Sequence, residues 1–178
     1  MNRLWKIEND SLEDLELKDF QKKLSGKGKD YSLVILKLLK NRGIIKEEEI
    51  IGFFDFDYEK DIPDPFLFTD MEKAVQRISI AREKGEKIAI FGDYDADGVT
   101  ATALVVEALK DLGFNQVVPY IPDRQIEGYG MNAEALSFLK KSGASLIITV
   151  DCGITNIEEI NQANNDGIDV IITDHHHV

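Results

Sequence analysis

Three aspartates stand at alternate positions in FGDYDADGVTA, residues 91 to 101, and the charged run closes on a glycine. Carboxylates that near one another repel and raise each other's pKa. Crowding Asp93, Asp95 and Asp97 into a chain of formal charge -12 is therefore costly unless water or a cation relieves it. Calcium is one candidate, because D-x-D-x-D-G opens an EF-hand loop. The register then fails: position twelve, which needs a bidentate glutamate, falls on Leu104, and Glu107 lies three residues too far along. The preceding KIAIF is also a short β-prone run, whereas an EF-hand loop follows a helix. The other candidate is a catalytic divalent metal at a strand end, and it needs ligands from elsewhere in the chain.

Those ligands are available. Asp151 stands in VDCG, and Asp174, His175, His176 and His177 stand in DHHHV. Carboxylates mixed with imidazole suit a borderline ion such as manganese better than calcium. Several carboxylates at one site can hold two ions, an arrangement that serves phosphoester hydrolysis by activating water and neutralising charge on phosphorus. PYIPDRQIEGYG, residues 119 to 130, adds Arg124, whose planar fork suits phosphate oxygens, and Gly128 and Gly130, which permit a tight loop. Each residue also has a plainer role. Arg124 could pair with Asp123 or Glu127, and Asp151 or Asp174 alone suits a turn or helix cap. His175 and His176, being adjacent, point in different directions, so one can bind metal while the other contacts substrate or orients a ligand. His177 is left unassigned. The single cysteine, Cys152, excludes an intrachain disulfide and a cysteine-rich zinc site, and suits a small buried residue beside a strand end.

Positioning these groups requires a scaffold, and the pattern after Thr69 supplies one. Four β-prone runs, at 87 to 91, 116 to 121, 145 to 150 and 169 to 173, alternate with helical patterns at about 99 to 112, 132 to 142 and 156 to 166. Gly113, Gly143 and Gly167 close those helices. Asn132 and Asn156 occupy N-cap positions, and Glu159 completes a capping box with Asn156. A further helix begins at a Thr69–Glu72 capping box, buries Met71, Ala74, Val75 and Ile78, and ends at Gly85. Strands alternating with helices predict an α/β fold, a parallel sheet with helices on both faces and right-handed crossovers. Ligands of such a sheet collect outside the carboxyl ends of its strands, where Asp93 to Asp97, Asp151 and the 174 to 177 run all fall.

Upstream, residues 1 to 69 read as a small helical region ending in a linker. YSLVILKLLKNRG, 31 to 43, carries Leu33, Leu36 and Lys40 at helical spacing, with Val34, Ile35, Leu38 and Leu39 widening the apolar stripe. KEEEIIGFF, 46 to 54, predicts a second short helix; Pro63 and Pro65 then break the period, which places a linker near 55 to 69. Residues 70 to 178 form the α/β part.

Composition bounds the rest. At 43% hydrophobic and 30% charged, the 178 residues are ordinary for a soluble domain. No apolar run approaches the length of a membrane span, and the first twenty residues lack the apolar core of a signal peptide, so a cytoplasmic protein is expected. The acidic balance argues against a protein that merely coats nucleic acid, but not against an enzyme whose phosphate contacts are local and metal-mediated.

DYDADGVTA, PDRQIEGYG, VDCG and TDHH, in that order and each after a strand, resemble the successive motifs of the DHH phosphoesterase superfamily. LLKNRGI, DPFLFTDMEKAVQRI and GEKIAIFGDYDADG are similar, more specifically, to the RecJ family of single-strand-specific DNA exonucleases. The resemblance covers roughly residues 33 to 178. It implies 5'-to-3' hydrolysis of single-stranded DNA to mononucleotides with manganese or magnesium, in recombination and repair. Single-strand-binding protein and a helicase are the implied partners. By position, Asp95, Asp97, Asp151 and His175 resemble the family's metal ligands, with Asp93 and His176 as ligands or close supports. Arg124 matches the arginine near the scissile phosphate, and Gly128, Tyr129 and Gly130 the adjoining loop.

Two departures qualify the resemblance. Many members carry histidine where this chain has Phe91, and if that position ligates metal in relatives, one ligand is absent here. In the family, a further aspartate ligand and a second, DNA-gripping domain lie beyond DHH. Their absence here implies an exposed apolar flank on the sheet and weak or no activity for this chain alone. Two other functions fit the motifs: a phosphodiesterase of short oligonucleotides or cyclic dinucleotides, and a non-catalytic replication scaffold.

Overall fold

The computed structural model describes residues 11–177, which divide into two units between Asp64 and Pro65. In the first unit, helices α1 (Ser11–Ser25), α2 (Leu33–Lys40) and α3 (Glu47–Phe54) enclose a small core of Leu17, Leu24, Leu36, Leu39 and Ile50. Ser32 caps α2, its side chain accepting from the Ile35 amide, and this fixes the register of the helix. Leu36 and Leu39 then point inward, while Val34 and Leu38, expected in the apolar stripe, stand exposed at 67% and 50%. The stripe is thus narrower than the composition of the helix suggests. The expected linker is partly ordered: a one-turn helix α4 (Tyr58–Asp61) lies in the first unit.

The second unit opens with a 3₁₀ turn, Pro65–Leu67, that packs on α5 (Met71–Lys84), which is why it falls here and not with the linker. Helix α5 starts one residue later than its predicted capping box requires. Asp70, not Thr69, takes the N-cap position, and no side chain caps the helix. Val75 faces outward at 42% exposure, and Ile78 and Ala81 make the inward contact. Arg77 also turns in, its guanidinium donating to Glu86, to Asp169 and to the Ser145 carbonyl; a long stem lets the charged head reach partners across packed apolar surface.

Strands β1 (Lys87–Gly92), β2 (Val117–Tyr120), β3 (Ala144–Val150) and β4 (Asp169–Thr173) form one sheet in the order β2-β1-β3-β4, all pairs parallel. Helices α6 (Ala96–Asp111), α7 (Ala133–Lys141) and α8 (Ile157–Asn165) make the connections. Strands β1 and β3 occupy the centre and are buried on both faces, which suits their near-continuous apolar runs. Ile88, Ile90, Leu146, Ile148 and Val150 pack towards α5 and α6 with Val106 and Leu109. Ala89, Phe91 and Ile147 pack on the opposite face with Leu136, Leu139 and Ala163 of α7 and α8. Helices therefore cover both faces, as predicted. In-register pairing of Gly92 with Val150 and of Val150 with Thr173 brings the ends of β1, β3 and β4 level. Residues that follow those strands must emerge side by side.

Candidate metal centre

At the end of β1 the backbone is packed too tightly for side chains. A Cβ on Gly98 would lie 2.4 Å from the Asp93 carbonyl oxygen and 2.5 Å from its nitrogen, and one on Gly92 would overlap Thr102 Oγ1. Glycine at 98 is thus required for the first turn of α6 to rest on the Asp93 backbone. Thr102, buried, donates to the Gly98 carbonyl at 2.7 Å and locks the turn. Asp95 is the N-cap: its Oδ1 accepts from the amides of Asp97 and Gly98 at 3.0 and 3.1 Å. This cap starts α6 three residues before the predicted beginning at 99, because the apolar period that marked the helix begins only at Val99. One carboxylate oxygen of Asp95 remains uncommitted by these bonds.

Beyond β3, Asp151 adopts φ 61, the only positive φ outside glycine among the described residues. Aspartate tolerates this left-handed region better than most residues, and such a conformation persists only where the surroundings hold it. Here the Asp151 amide donates to the Thr173 carbonyl at 2.9 Å, continuing the β3–β4 ladder one residue into the turn. Beyond β4, Asp174 is the residue that shapes the loop. Its side chain is 1% exposed; Oδ2 accepts from the Ile154 amide at 3.0 Å, and Oδ1 from the His176 amide at 3.0 Å and ring Nδ1 at 2.8 Å. Burial pushes the Asp174 pKa up, but these hydrogen bonds outweigh it and lower the carboxyl to about 2. The same contact raises His176 above its ordinary value. With its Nδ1 proton held by Asp174, His176 has Nε2 free to face a ligand, the usual arrangement of a metal-binding imidazole.

The three strand ends converge. Ligand atoms of Asp93, Asp95 and Asp151 lie within 4.8 Å of one another, and so do those of Asp151, His175 and His176. Asp151 belongs to both groups, and its Oδ1 is 2.9 Å from His175 Nε2. Asp97 belongs to neither, but lines with Asp151, Asp174 and His175 an open cavity of about 430 Å³ whose other wall is Ala101, Leu104 and Val105 of α6. Asp93 is buried; desolvation raises its pKa, and the charges of Asp95 and Asp151 raise it further. A divalent cation relieves both costs, and carboxylate with imidazole is a donor set manganese accepts. The residues present fit such an ion.

The β2–α7 loop stands beside this rim. Asp123 Oδ1 accepts from the Gln125 and Ile126 amides, and Glu127 accepts from the Asp123 amide at 2.7 Å and from Tyr120 Oη at 2.6 Å. Both acids that could have paired with Arg124 thus serve loop amides. The Arg124 guanidinium instead lies over the Tyr94 ring, 5.2 Å from its centroid. Gly128 and Gly130 take φ 79 and φ 81, and between them Tyr129 places Oη 3.3 Å from His176 Nδ1. Burial, reinforced by Asp174, pushes the Tyr129 hydroxyl up to about 12, so it stays neutral.

Other expectations fare variously. Phe91 is wholly buried and stacks on Tyr120 with ring centroids 5.3 Å apart, so it contributes to the core and no donor to the rim. Cys152 is buried beside the end of β3, donates to the Phe91 carbonyl at 3.7 Å, and has its thiol pushed up to about 12 by burial and the neighbouring aspartates. His177 is exposed. Asn132 caps α7 as predicted, accepting from Ala135. Asn156 takes the predicted N-cap position of α8 without capping it, forgoing about 1 kcal/mol of helix stabilisation. Two contributors escaped the sequence reading in their present roles, Tyr94 and Asn156; Asp174 organises the last loop in the turn role already open to it. Only Tyr94 left a local trace, an aromatic set between two of the clustered aspartates.

A parallel sheet whose carboxyl edge gathers aspartate and histidine from three strands defines an α/β domain of the metal-site class. Residues 87–178 match the family model described as DHH family, N-terminal domain, and the chain belongs to that family. It is 46% identical over 143 residues to the single-stranded-DNA-specific exonuclease RecJ of Bacillus subtilis, covering 80% of this chain and 18% of that protein. Among solved structures, exonuclease RecJ bound to manganese matches with TM-score 0.55 and 43% identity, over 59% of this chain and 27% of that one. RecJ of Thermus thermophilus in complex with Mn2+ matches with TM-score 0.54 and 31% identity, over 78% of this chain and 18% of that one. The chain spans about a fifth of the length of the curated relatives it matches.

Proposed function

We propose that this chain carries the metal-binding rim of a single-stranded-DNA-specific exonuclease that hydrolyses phosphodiesters from the 5' end and releases mononucleotides. The observation that carries the reading is the pair of ligand groups, Asp93–Asp95–Asp151 and Asp151–His175–His176, sharing Asp151 within 4.8 Å. Two adjoining donor sets with a common carboxylate suit two neighbouring ions, manganese or magnesium. Similarity to RecJ proteins, two of them solved with manganese, supports the same choice of metal and substrate.

In this reading Asp93, Asp95, Asp151 and His175 hold the ions, Asp97, outside both ligand groups but lining the same cavity as Asp151 and His175, completes the set from the α6 side, and His176 serves as ligand or substrate contact. Bound divalent ions supply an acidified water and neutralise charge developing on the phosphate. The chain's own residues do the positioning. Asp95 is fixed by the α6 amides, Asp174 fixes the His176 ring, and Arg124 with the 128 to 130 loop grips the phosphate from the β2 side. Cytoplasmic action in recombination and repair, beside a single-strand-binding protein and a helicase, completes the proposal.

The test is cleavage of single strands by Asp95→Ala and His175→Ala variants of the intact protein, with folding checked by circular dichroism. Loss of cleavage with folding intact is expected, and near wild-type turnover in either variant would overturn the assignment. A length series of single strands separates an exonuclease from an enzyme restricted to short oligonucleotides.

A further inference from the structure

Asn156 stands at the start of α8, yet its side chain bonds to no amide of its own helix. It reaches to the β2–α7 loop. Its Oδ1 accepts from the Met131 amide at 3.1 Å, and its Nδ2 donates to the Met131 carbonyl at 3.1 Å. One primary amide thereby satisfies both main-chain groups of a single buried residue, as a neighbouring strand would. Nδ2 also donates to Glu159 Oε2 at 3.2 Å, which fixes the amide's orientation. The loop runs hard against it: a Cβ on Gly130 would lie 2.7 Å from Asn156 Oδ1.

We propose that Asn156 is a positioning residue that couples the Asp151 turn to the loop carrying Tyr129, and so places Tyr129 at the His176 side of the rim. The functional consequence rests on the nuclease reading; the coupling itself does not. On one side, the Asn156 amide donates to the Gly153 carbonyl at 3.0 Å, two residues past Asp151. On the other, Met131 is 3% exposed and anchored in the core shared with α7 and α8, so the loop is pinned at 131. Between this pin and Glu127, which Tyr120 and the Asp123 amide hold, only Gly128, Tyr129 and Gly130 remain. Glycines on both sides leave the backbone around Tyr129 free to turn, and Tyr129 itself is 48% exposed. The Asn156 brace is what limits that freedom on the side nearest the metal ligands.

Asn156→Ala and Glu159→Ala variants of the intact protein test the proposal. In Asn156→Ala, hydrogen exchange at the Met131 amide accelerates and the NMR signals of Tyr129 and His176 shift, while manganese affinity by calorimetry stays within about twofold. The KM for a 5'-phosphorylated single strand rises about tenfold with kcat changed less than about threefold, the pattern of lost substrate positioning. Glu159→Ala moves the same quantities the same way by less. Asn156→Asp does not rescue, because it sets an oxygen against the Met131 carbonyl and the Glu159 carboxylate. A lowered melting temperature with KM unchanged would leave Asn156 a purely structural residue and overturn the proposal; so would unchanged Met131 exchange. Should the wild-type protein not cleave single strands, the nuclease reading falls, and the exchange and NMR results still decide the coupling. Should Asn156→Ala not fold, Glu159→Ala decides it.

Discussion

Replacing Asp95 by asparagine and by alanine separates the two tasks its carboxylate performs. Oδ1 accepts from the Asp97 and Gly98 amides, so it caps α6, while the charge belongs to the ligand group with Asp93 and Asp151. Asparagine caps a helix about as well as aspartate, and alanine costs about 1 kcal/mol at such a position. Losing the charge at the helix N-terminus costs asparagine a further few tenths, about 0.3–1 kcal/mol at most. Relief of repulsion with Asp93 and Asp151, which raises the Asp93 pKa, acts in the opposite direction. In chelator, Asp95→Asn should therefore melt close to the wild type and Asp95→Ala about 2–4 °C lower, the shift expected for about 1 kcal/mol in a chain of this size. With manganese at about a hundred times its dissociation constant, the wild type should gain about 2.7 kcal/mol, and both variants much less. Differential scanning calorimetry with and without manganese measures all of this. Equal melting of the two variants in chelator refutes the cap, and a wild-type manganese shift in Asp95→Asn refutes the ligand.

Three further outcomes follow from the geometry. Gly98→Ala forces a methyl to within 2.4 Å of the Asp93 carbonyl oxygen, so a loss of about 2 kcal/mol or more and a weaker manganese titration are expected; wild-type stability would show that the turn is not tightly packed. Tyr94→Ala removes the ring beneath Arg124, worth about 0.5–1 kcal/mol at an exposed site, so affinity for single strands should fall about twofold to fivefold, while Tyr94→Phe leaves it unchanged. The Tyr120–Glu127 bond makes the β2–α7 loop pH-sensitive at both ends. Hydrogen bonds from Tyr120 first, then the Asp123 amide, lower the Glu127 pKa, so its stabilisation is full above the ordinary glutamate range and lost as pH falls through the depressed value. Burial first, then Glu127, pushes the Tyr120 hydroxyl from 10.0 up to about 12; the unfolded chain ionises first, and stability declines as pH rises across that interval. Melting temperatures of wild type and Tyr120→Phe across pH should diverge in the middle and converge at the acid end; a constant gap refutes the assignment.

The sheet was legible because its signals are local and redundant. Strand β4 begins and ends where its apolar run does, and the α7 cap at Asn132 forms as its position predicts. Convergence of Asp93, Asp151 and His175 was legible for a topological reason, since parallel strands paired in register must deliver their next residues to one edge. What escaped depends on competition between local and distant partners. Asp95 begins α6 in a stretch without apolar period, and Val75 and Arg77 exchange the faces that hydrophobicity assigns them because Glu86 and Asp169 satisfy the guanidinium. Asn156 follows the capping rule in position and breaks it in partner, because Met131 offers two bonds where the α8 terminus offers one. Such departures gather where function is expected to override local preference.

How the rim tolerates its own charge points to a cationic partner. Main-chain amides hold three of its carboxylates: Tyr94 N on Asp93, Asp97 N and Gly98 N on Asp95, Ile154 N and His176 N on Asp174. Among the described residues, the basic side chains that meet rim carboxylates are the imidazoles of His175, on Asp151, and His176, on Asp174, and no lysine or arginine enters. Amides orient a carboxylate without cancelling its charge, whereas a lysine or arginine would do both. Were this a structural acidic cluster, neutralising cations would be its cheapest stabilisation, and Arg77 shows that the chain builds such a network elsewhere, between Glu86 and Asp169. At the strand ends the negative charge is instead held in place and left uncompensated, the state in which a divalent ion gains most by binding.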